Sequence, residues 1–451
     1  MLGKELLVRL DSDMARGIFT RLYNTENIET ACQRYSSLIE EYLRDKPEWF
    51  PHSKFPETGG DIHVFSSPGR TELGGNHTDH NQGKVLAASV QLDAVAIAAP
   101  RRDNMVYFRS KGFPDTEIDI SDLSMHPDEK GTTAALIRGI AAEFNKRGDP
   151  IGGFSANAAS QVLPGSGLSS SASLEVLIGK IFDRLYGKGK MSALEIAQIG
   201  QKAENNYFGK PCGLMDQVAC ASGGAVAIDF KDLSSPVVKQ VDFNPAALNL
   251  ALCVVDTGGN HADLTADYAA IPAEMKAVAA CLGRNVLRDL DLQAVMDNAA
   301  QIRKTAGDRA LLRAFHFFAE NERVDAMLES MEALNKAAAE EDKQSFLGAF
   351  LDQVSSSGNS SWEILQNIYA PHNPREQGIS TALALTRIYL KNNCNNSGIC
   401  RVHGGGFAGT IQAYIPAAAM PGYREYIQSF FGKGSVTVLN IRPAGVVELN
   451  F

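Results

Sequence analysis

The stretch Pro164-Gly165-Ser166-Gly167-Leu168-Ser169-Ser170-Ser171-Ala172-Ser173-Leu174-Glu175 joins a glycine-rich turn to the start of a helix. Glycine lets the backbone take up positive φ and approach a ligand closely. Three successive hydroxyls, Ser169 to Ser171, stand where the first helical N–H groups have no partner. Unpaired donors together with the helix dipole make an anion site that suits a polyphosphate. An N-cap after a flexible turn would use the same residues. No lysine follows the last glycine, so this is not the common P-loop, and the positive charge would have to come from a metal ion.

Downstream, Leu174, Val176, Leu177, Ile178, Ile181 and Leu185 recur at helical spacing, and a further helix is expected from Ala193 to Tyr207, ending before Gly209. Upstream, the β-rich runs Ile62–Ser66, Val85–Ala99 and Met105–Arg109 predict a sheet, followed by a helix over Ala134–Lys146. Before these lies a helical lead-in carrying Tyr35, Leu38, Ile39, Tyr42 and Leu43. It is expected to end before Pro47, with a loop marked by Pro51, Pro56 and Gly59-Gly60. The second half predicts helices over Gln293–Ile302, Ala310–Ala319, Val324–Ala339 and Lys343–Val354, and strands at Thr410–Ile415 and Val436–Ile441. A boundary between Asp242 and Leu250 then divides the chain into domains 1–245 and 246–451, with a ligand cleft between them.

The 451 residues fit two domains at about 100–200 residues each. A formal charge of −9 argues against nucleic acid or an anionic membrane as partner, since both select basic surfaces. No run approaches the 18 apolar residues of a membrane span, and the N-terminus lacks a signal-peptide pattern. Seven scattered cysteines without C-x-x-C pairs fit reduced thiols, so a cytoplasmic protein is expected. Oligomeric state is left open, and a monomer would suffice.

Two more loops carry chemistry. Gly69-Arg70-Thr71-Glu72-Leu73-Gly74-Gly75-Asn76-His77-Thr78-Asp79-His80-Asn81 supplies the mixed donors and acceptors that ring hydroxyls need. Its spacing matches no common zinc pattern; a solvated loop would use the same residues, but a polyol site is the better physical match. Gly404-Gly405-Gly406-Phe407-Ala408-Gly409 formally satisfies G-x-G-x-x-G, but a strand pattern follows where a dinucleotide fold requires a helix. It reads as a tight turn between strands, or as a turn closing over a nucleotide. Finally, Glu204 and Asp216 lie at the two ends of a turn containing Gly209, Pro211 and Gly213, a pattern that would suit a metal ligand and a base, although either acid alone is most often a surface residue or a helix cap.

Together these segments resemble the motifs of the GHMP small-molecule kinases, and within them the galactokinases, in matching order over residues 60 to 450. The most specific element is Gly69-Arg70 with His77-Thr78-Asp79 and Asn81, beside Cys212-Gly213-Leu214-Met215-Asp216-Gln217. The resemblance implies a two-domain α+β fold and transfer of the γ-phosphoryl group of ATP to the anomeric hydroxyl of a hexose. By the same resemblance Asp216 accepts the hydroxyl proton and Arg70 stabilises the phosphoryl oxygens. Residues 164–172 hold ATP, and Glu204 with Ser170 or Ser171 holds Mg2+. Asn76, His77, Asp79, Gly213 and Tyr268 match sugar-contacting positions. Asn76 and His80 stand where galactokinases usually carry Glu and Tyr, and Ala408 replaces a usual glycine. A kinase for another hexose is therefore the chief alternative. A non-catalytic sugar sensor is disfavoured because Ser171-Ala172 is present.

Overall fold

The computed structural model describes residues 3–25, 28–49, 61–162, 165–259 and 264–451; Pro164 and the expected loop through Pro51, Pro56 and Gly59-Gly60 lie outside the described residues. The architecture is α+β, with two sheets.

Strand β1 (His63–Gly74) is buried along nearly its whole length, because helices cover both of its faces. It pairs antiparallel with the long β2 (Lys84–Pro100). Along β2 the side chains alternate, as a pleat demands. Val95, Ile97 and Ala99 pack against the N-terminal helices α1 (Gly3–Leu10), α2 (Asp13–Tyr23) and α3 (Glu29–Trp49). Ala94, Ala96 and Ala98 face α4 (Thr133–Lys146) and α5 (Ser170–Leu185). Helices α1 to α3 thus cover this face of the sheet. Fully buried side chains such as Phe19 and Tyr35 contribute about 1.5–3 kcal/mol each. Beneath these helices Asp93 is wholly buried, accepting from Tyr23 at 2.7 Å and Arg442 at 2.9 Å and paired with Arg34 at 2.5 Å, which ties α2 and α3 to the far end of the chain.

The first sheet continues through β3 (Met105–Ser110), β4 (Thr116–Asp119) and β5 (Phe154–Ser160), with β3 and β5 parallel. After α6 (Ala193–Ala203) and α7 (Met215–Ser222), β6 (Ala225–Asp229) pairs with the first part of β2, and β7 (Val237–Val241) pairs with β6. The second sheet is antiparallel, in the order β11 (Val436–Leu439), β8 (Leu250–Asp256), β10 (Thr410–Pro416), β9 (Ile399–Val402). The helices of this half are α8 (Thr265–Cys281), the short α9 (Leu292–Asp297) and α10 (Ala299–Thr305), α11 (Asp308–Lys336), α12 (Glu340–Ser360), α13 (Gly378–Asn393) and α14 (Met420–Phe431). Residues Val324, Met327, Met331 and Phe350 of α11 and α12 share one apolar core with Leu73 and Leu86 of the first sheet and Leu252 and Val254 of the second. The last strand, β12 (Val447–Leu449), returns to pair with β1.

Several boundaries differ from the sequence reading. β1 runs eight residues beyond Ser66, so Gly69 and Arg70 belong to a strand and not to a loop. Its pairing shifts between Pro68 and Arg70, where proline has no N–H to give the ladder. Helix α3 passes Pro47 and ends at Trp49; a proline within the last turn removes only one ladder bond. The expected helices 310–319 and 324–339 are one helix, α11, since neither Gly nor Pro interrupts Glu320–Arg323. The helix expected to reach Tyr207 widens into a π turn from Glu204 to Phe208.

Candidate active site

β1 and α7 bring Arg70 and Asp216 into a bidentate pair. Arg70 Nε donates to Asp216 Oδ1 and Nη2 to Oδ2, both at 2.7 Å, while Nη1 donates to the Gly167 carbonyl at 2.5 Å. Asp216 sits in the first turn of α7, where the helix dipole favours a negative charge. Ser169 Oγ also donates to this carboxylate. Burial pushes the Asp216 carboxyl up, but the Arg70 charge and hydrogen bonds, helped by Ser169, outweigh it and hold the group below the usual carboxylate range. The carboxylate is therefore ionised, fixed in direction, and open to a cleft of about 430 Å³.

The phosphate-type loop forms one wall. Ser169 precedes α5 at φ 62° and its side chain makes no capping bond, so the first amides of the helix are left for another acceptor. Gly167 sits at φ 72°, and a Cβ there would lie 2.4 Å from Thr410 Oγ1, so only glycine fits. Gly165, Gly167, Ser169, Ser170 and Ser171 line the cleft. Leu168 and Ala172, expected with them at the nucleotide, instead point into apolar cores, because each is the hydrophobic anchor that seats the loop on the sheet. Leu168 still contributes its carbonyl, which accepts from Arg70 N at 3.0 Å.

His77, Asp79, His80, Gly213 and Tyr268 also line the cleft. His77 Nε2 lies 2.9 Å from the Gly405 carbonyl, which requires Nε2–H and leaves Nδ1 as an acceptor. Burial pushes this imidazole down to about 3, so it is neutral near pH 7. Asp79 packs directly on Gly213, where a Cβ would fall 1.7 Å from its Oδ2. Tyr268 donates to the Gly406 carbonyl at 3.0 Å and meets Phe407 edge-on at 5.5 Å. In the third loop Phe407, at φ 58°, takes the left-handed conformation and Ala408 does not, so the methyl at 408 carries no backbone strain.

Asn76 lines the same cleft, but its polar atoms are engaged by the protein itself. Its amide donates to Glu72 at 3.1 Å and to the Gly404 carbonyl at 2.9 Å, and its oxygen accepts from Asn367 at 2.9 Å and Ser361 at 3.2 Å. Protein groups use its full hydrogen-bonding capacity, and the side chain is a buried hub. The carboxylate beside it is Glu72, which lines the cleft, is 2% exposed and pairs with Arg401 at 2.6 Å. Burial raises the Glu72 carboxyl, opposed by the Arg401 charge. Sequence reasoning assigned no role to Glu72, nor to His403, a buried wall residue 2.9 Å from Thr71 Oγ1.

Glu320 of α11 pins this loop from the other half of the chain. Its Oε1 accepts from Gly75 N at 3.0 Å and Asn76 N at 3.3 Å, and its Oε2 accepts from Arg323 Nε at 2.6 Å. Burial raises this carboxyl, yet His316, Arg323, Arg401 and the Ser357 hydroxyl bring it down to about 2. Because the folded value lies below the free value of 4.5, its contribution to stability is full above pH 4.5 and is lost as pH falls toward 2. Glu320→Gln is expected to lower the thermal midpoint at pH 7 and to flatten its decline between pH 4.5 and 2, as read by calorimetry. Parallel pH profiles for the two proteins would remove Glu320 from this role.

Ser170 and Ser171 offer hydroxyls to the cleft, whereas Glu204, 1% exposed, lies outside its lining. Glu204 Oε1 pairs with Lys210 Nζ at 3.2 Å and its Oε2 accepts from Gln217 at 3.1 Å; Gln217 also donates to the buried Glu175. These are hard oxygen donors of the kind Mg2+ prefers, few enough that such an ion would keep waters and phosphate oxygens as its other ligands. Among the described residues no group of three or more His, Cys, Asp or Glu side chains is arranged to hold a metal. Lys210, from the segment after Gly209, lines the cleft as well.

The comparisons first define the class. The profile of the GHMP kinases N terminal domain matches residues 135–224, and the galactokinase galactose-binding signature matches residues 53–100. The galactokinase of Streptomyces coelicolor is 30% identical over 374 residues, 82% of this chain and 88% of that protein. That of Mannheimia succiniciproducens is 31% identical over 388 residues, 84% and 91% of the two chains. The chain belongs to the galactokinase family. In fold it is similar to Lactococcus lactis galactokinase complexed with galactose, at a TM-score of 0.71, 24% identity, and coverage of 92% of this chain and 100% of that one. The mevalonate kinase of Methanococcus jannaschii shares the fold more distantly, at a TM-score of 0.56 and 14% identity over 85% of this chain and 99% of that one. The family is one of sugar kinases, which implies ATP as the phosphoryl donor. Among the described residues no helix is long and apolar enough to cross a membrane.

Proposed function

We propose that this chain transfers the γ-phosphoryl group of ATP to the anomeric hydroxyl of galactose, giving galactose 1-phosphate and ADP. The observation that carries the reading is the Arg70–Asp216 pair, which joins the sugar-type loop to the phosphate loop through the Gly167 carbonyl. The anomeric oxygen bonds to the γ-phosphorus as the bond to the β–γ bridging oxygen breaks, and the hydroxyl proton passes to Asp216. An acid already ionised is a weak base but a correctly aimed one. Arg70 spreads its charge over Asp216 and the transferring oxygens, the kind of preorganised stabilisation that dominates phosphoryl transfer. Backbone amides at the start of α5 and the hydroxyls of Ser170 and Ser171 hold the phosphates. Mg2+ bound through Glu204 and one of these serines would neutralise phosphate charge. His77 Nδ1, Asp79, Tyr268 and the backbone at Gly213 orient the sugar.

We also propose a division into two units near residue 245, one around each sheet, with β12 crossing back to the first. A panel of hexoses assayed for ATP consumption, with the product identified by phosphorus NMR, tests the reaction. Galactose 1-phosphate is the expected product, and preference for another hexose would replace galactose as the substrate.

A further inference from the structure

We propose that Lys210 is the cleft's own phosphate-binding cation, held on Glu204 until the terminal phosphates of the nucleotide arrive; the inference rests on the kinase reading above. Its placement is built in. Gly209 closes the π turn at φ 83°, and the amides of Gly209 and Lys210 both donate to the Glu204 carbonyl, at 2.9 and 3.2 Å. The chain is thereby folded back so that Lys210 Nζ rests 3.2 Å from Glu204 Oε1. The lysine side chain is 57% exposed and lines the cleft with Ser169, Ser170, Ser171 and Asp216, while Glu204 beneath it is 2% exposed.

Charge balance points the same way. Arg70 and Lys210 are the only permanent cations among the described residues lining the cleft. Arg70 has Nε and Nη2 committed to Asp216 and Nη1 to the Gly167 carbonyl, so its charge is largely compensated. A triphosphate entering beside the α5 N-terminus would therefore meet one cation able to move. The ammonium is a compact charge on a flexible stem, and exchanging a carboxylate partner for a phosphate oxygen trades one charge-assisted bond for another. Glu204 is not orphaned when the lysine leaves, since Gln217 Nε2 still donates to its other oxygen. The released carboxylate oxygen is then free for a divalent ion.

Calorimetric titration of the full chain with ATP and with adenosine, in EDTA, tests this. Lys210→Met is expected to weaken metal-free ATP binding by about tenfold or more, the effect of losing one hydrogen bond to a charged group. Lys210→Arg should restore most of it, and adenosine affinity should not change. Because Lys210→Met leaves a buried carboxylate without its cation, Lys210→Met combined with Glu204→Gln repeats the measurement in a neutral background, with the same loss expected. Equal metal-free ATP affinity in wild type and variants would overturn the proposal, as would a matching loss for adenosine, which has no phosphate. No metal-free ATP binding by the wild type would overturn it too. If the wild type phosphorylates galactose while any of these results is found, the kinase reading stands and only the role of Lys210 falls.

Discussion

Asp216→Asn will lower kcat by about 10²- to 10⁴-fold and leave ATP affinity within a few-fold of wild type. The range is that of a positioned acid–base group. An amide is close to isosteric with the carboxylate, so it can still accept from Arg70 and sit in the first turn of α7. It cannot take a proton from the attacking hydroxyl. Because Asp216 is ionised before the sugar binds, the substitution also removes a charge that Arg70 faces, leaving that guanidinium partly uncompensated in a buried site. A fall in kcat with unchanged ATP binding by calorimetry is the expected signature. Near-normal turnover would remove Asp216 as the base.

Arg70→Met is the second large effect, and it acts in two directions. The transferring phosphoryl loses a cation, which for one preorganised donor corresponds to about 10²- to 10³-fold in kcat. The Asp216 carboxyl also loses the influence that offsets its burial, so its pKa rises. Its acid limb in the pH–rate profile then moves to higher pH, since the base must ionise before it can act. Arg70→Lys should rescue only part of the loss. A lysine cannot span both Asp216 oxygens and the Gly167 carbonyl as the planar guanidinium does. Thermal melts of each variant separate these effects from misfolding. An Arg70→Met enzyme with an unshifted acid limb would mean that Arg70 does not set the ionisation of Asp216.

How much of this was legible in the chain differs from element to element. The helix starting at Ser170 and the strand Lys84–Pro100 announce themselves through local periodicity, and both fall within a residue or two of expectation. Strand β9 and strand β12 do not, because four and three residues carry too little pattern; β9 pairs with the next strand, β10, whereas β12 is held by β1 at the other end of the chain. Among site residues, the glycine and serine loop could be read because backbone approach to a phosphate restricts the residue types allowed there. Asn76 was legible as a polar residue of the cleft, but the protein groups that engage it were not, because Ser361 and Asn367 lie nearly three hundred residues away.

The sequence by itself determined the class of chemistry: an anion cradle without a P-loop lysine, a polyol-type loop, and an acid and an arginine to work between them. The cradle and the polyol-type loop are local arrangements of residue types, written in consecutive positions, whereas Arg70 and Asp216 stand 146 residues apart and meet only in the fold. Only the tertiary structure decided which groups face the cleft. It turned Leu168 and Ala172 inward, used up the hydrogen bonds of Asn76, brought Glu72 to the wall, and laid Lys210 over Glu204. Side-chain direction depends on what packs behind it, and here that packing comes from helices and strands far along the chain.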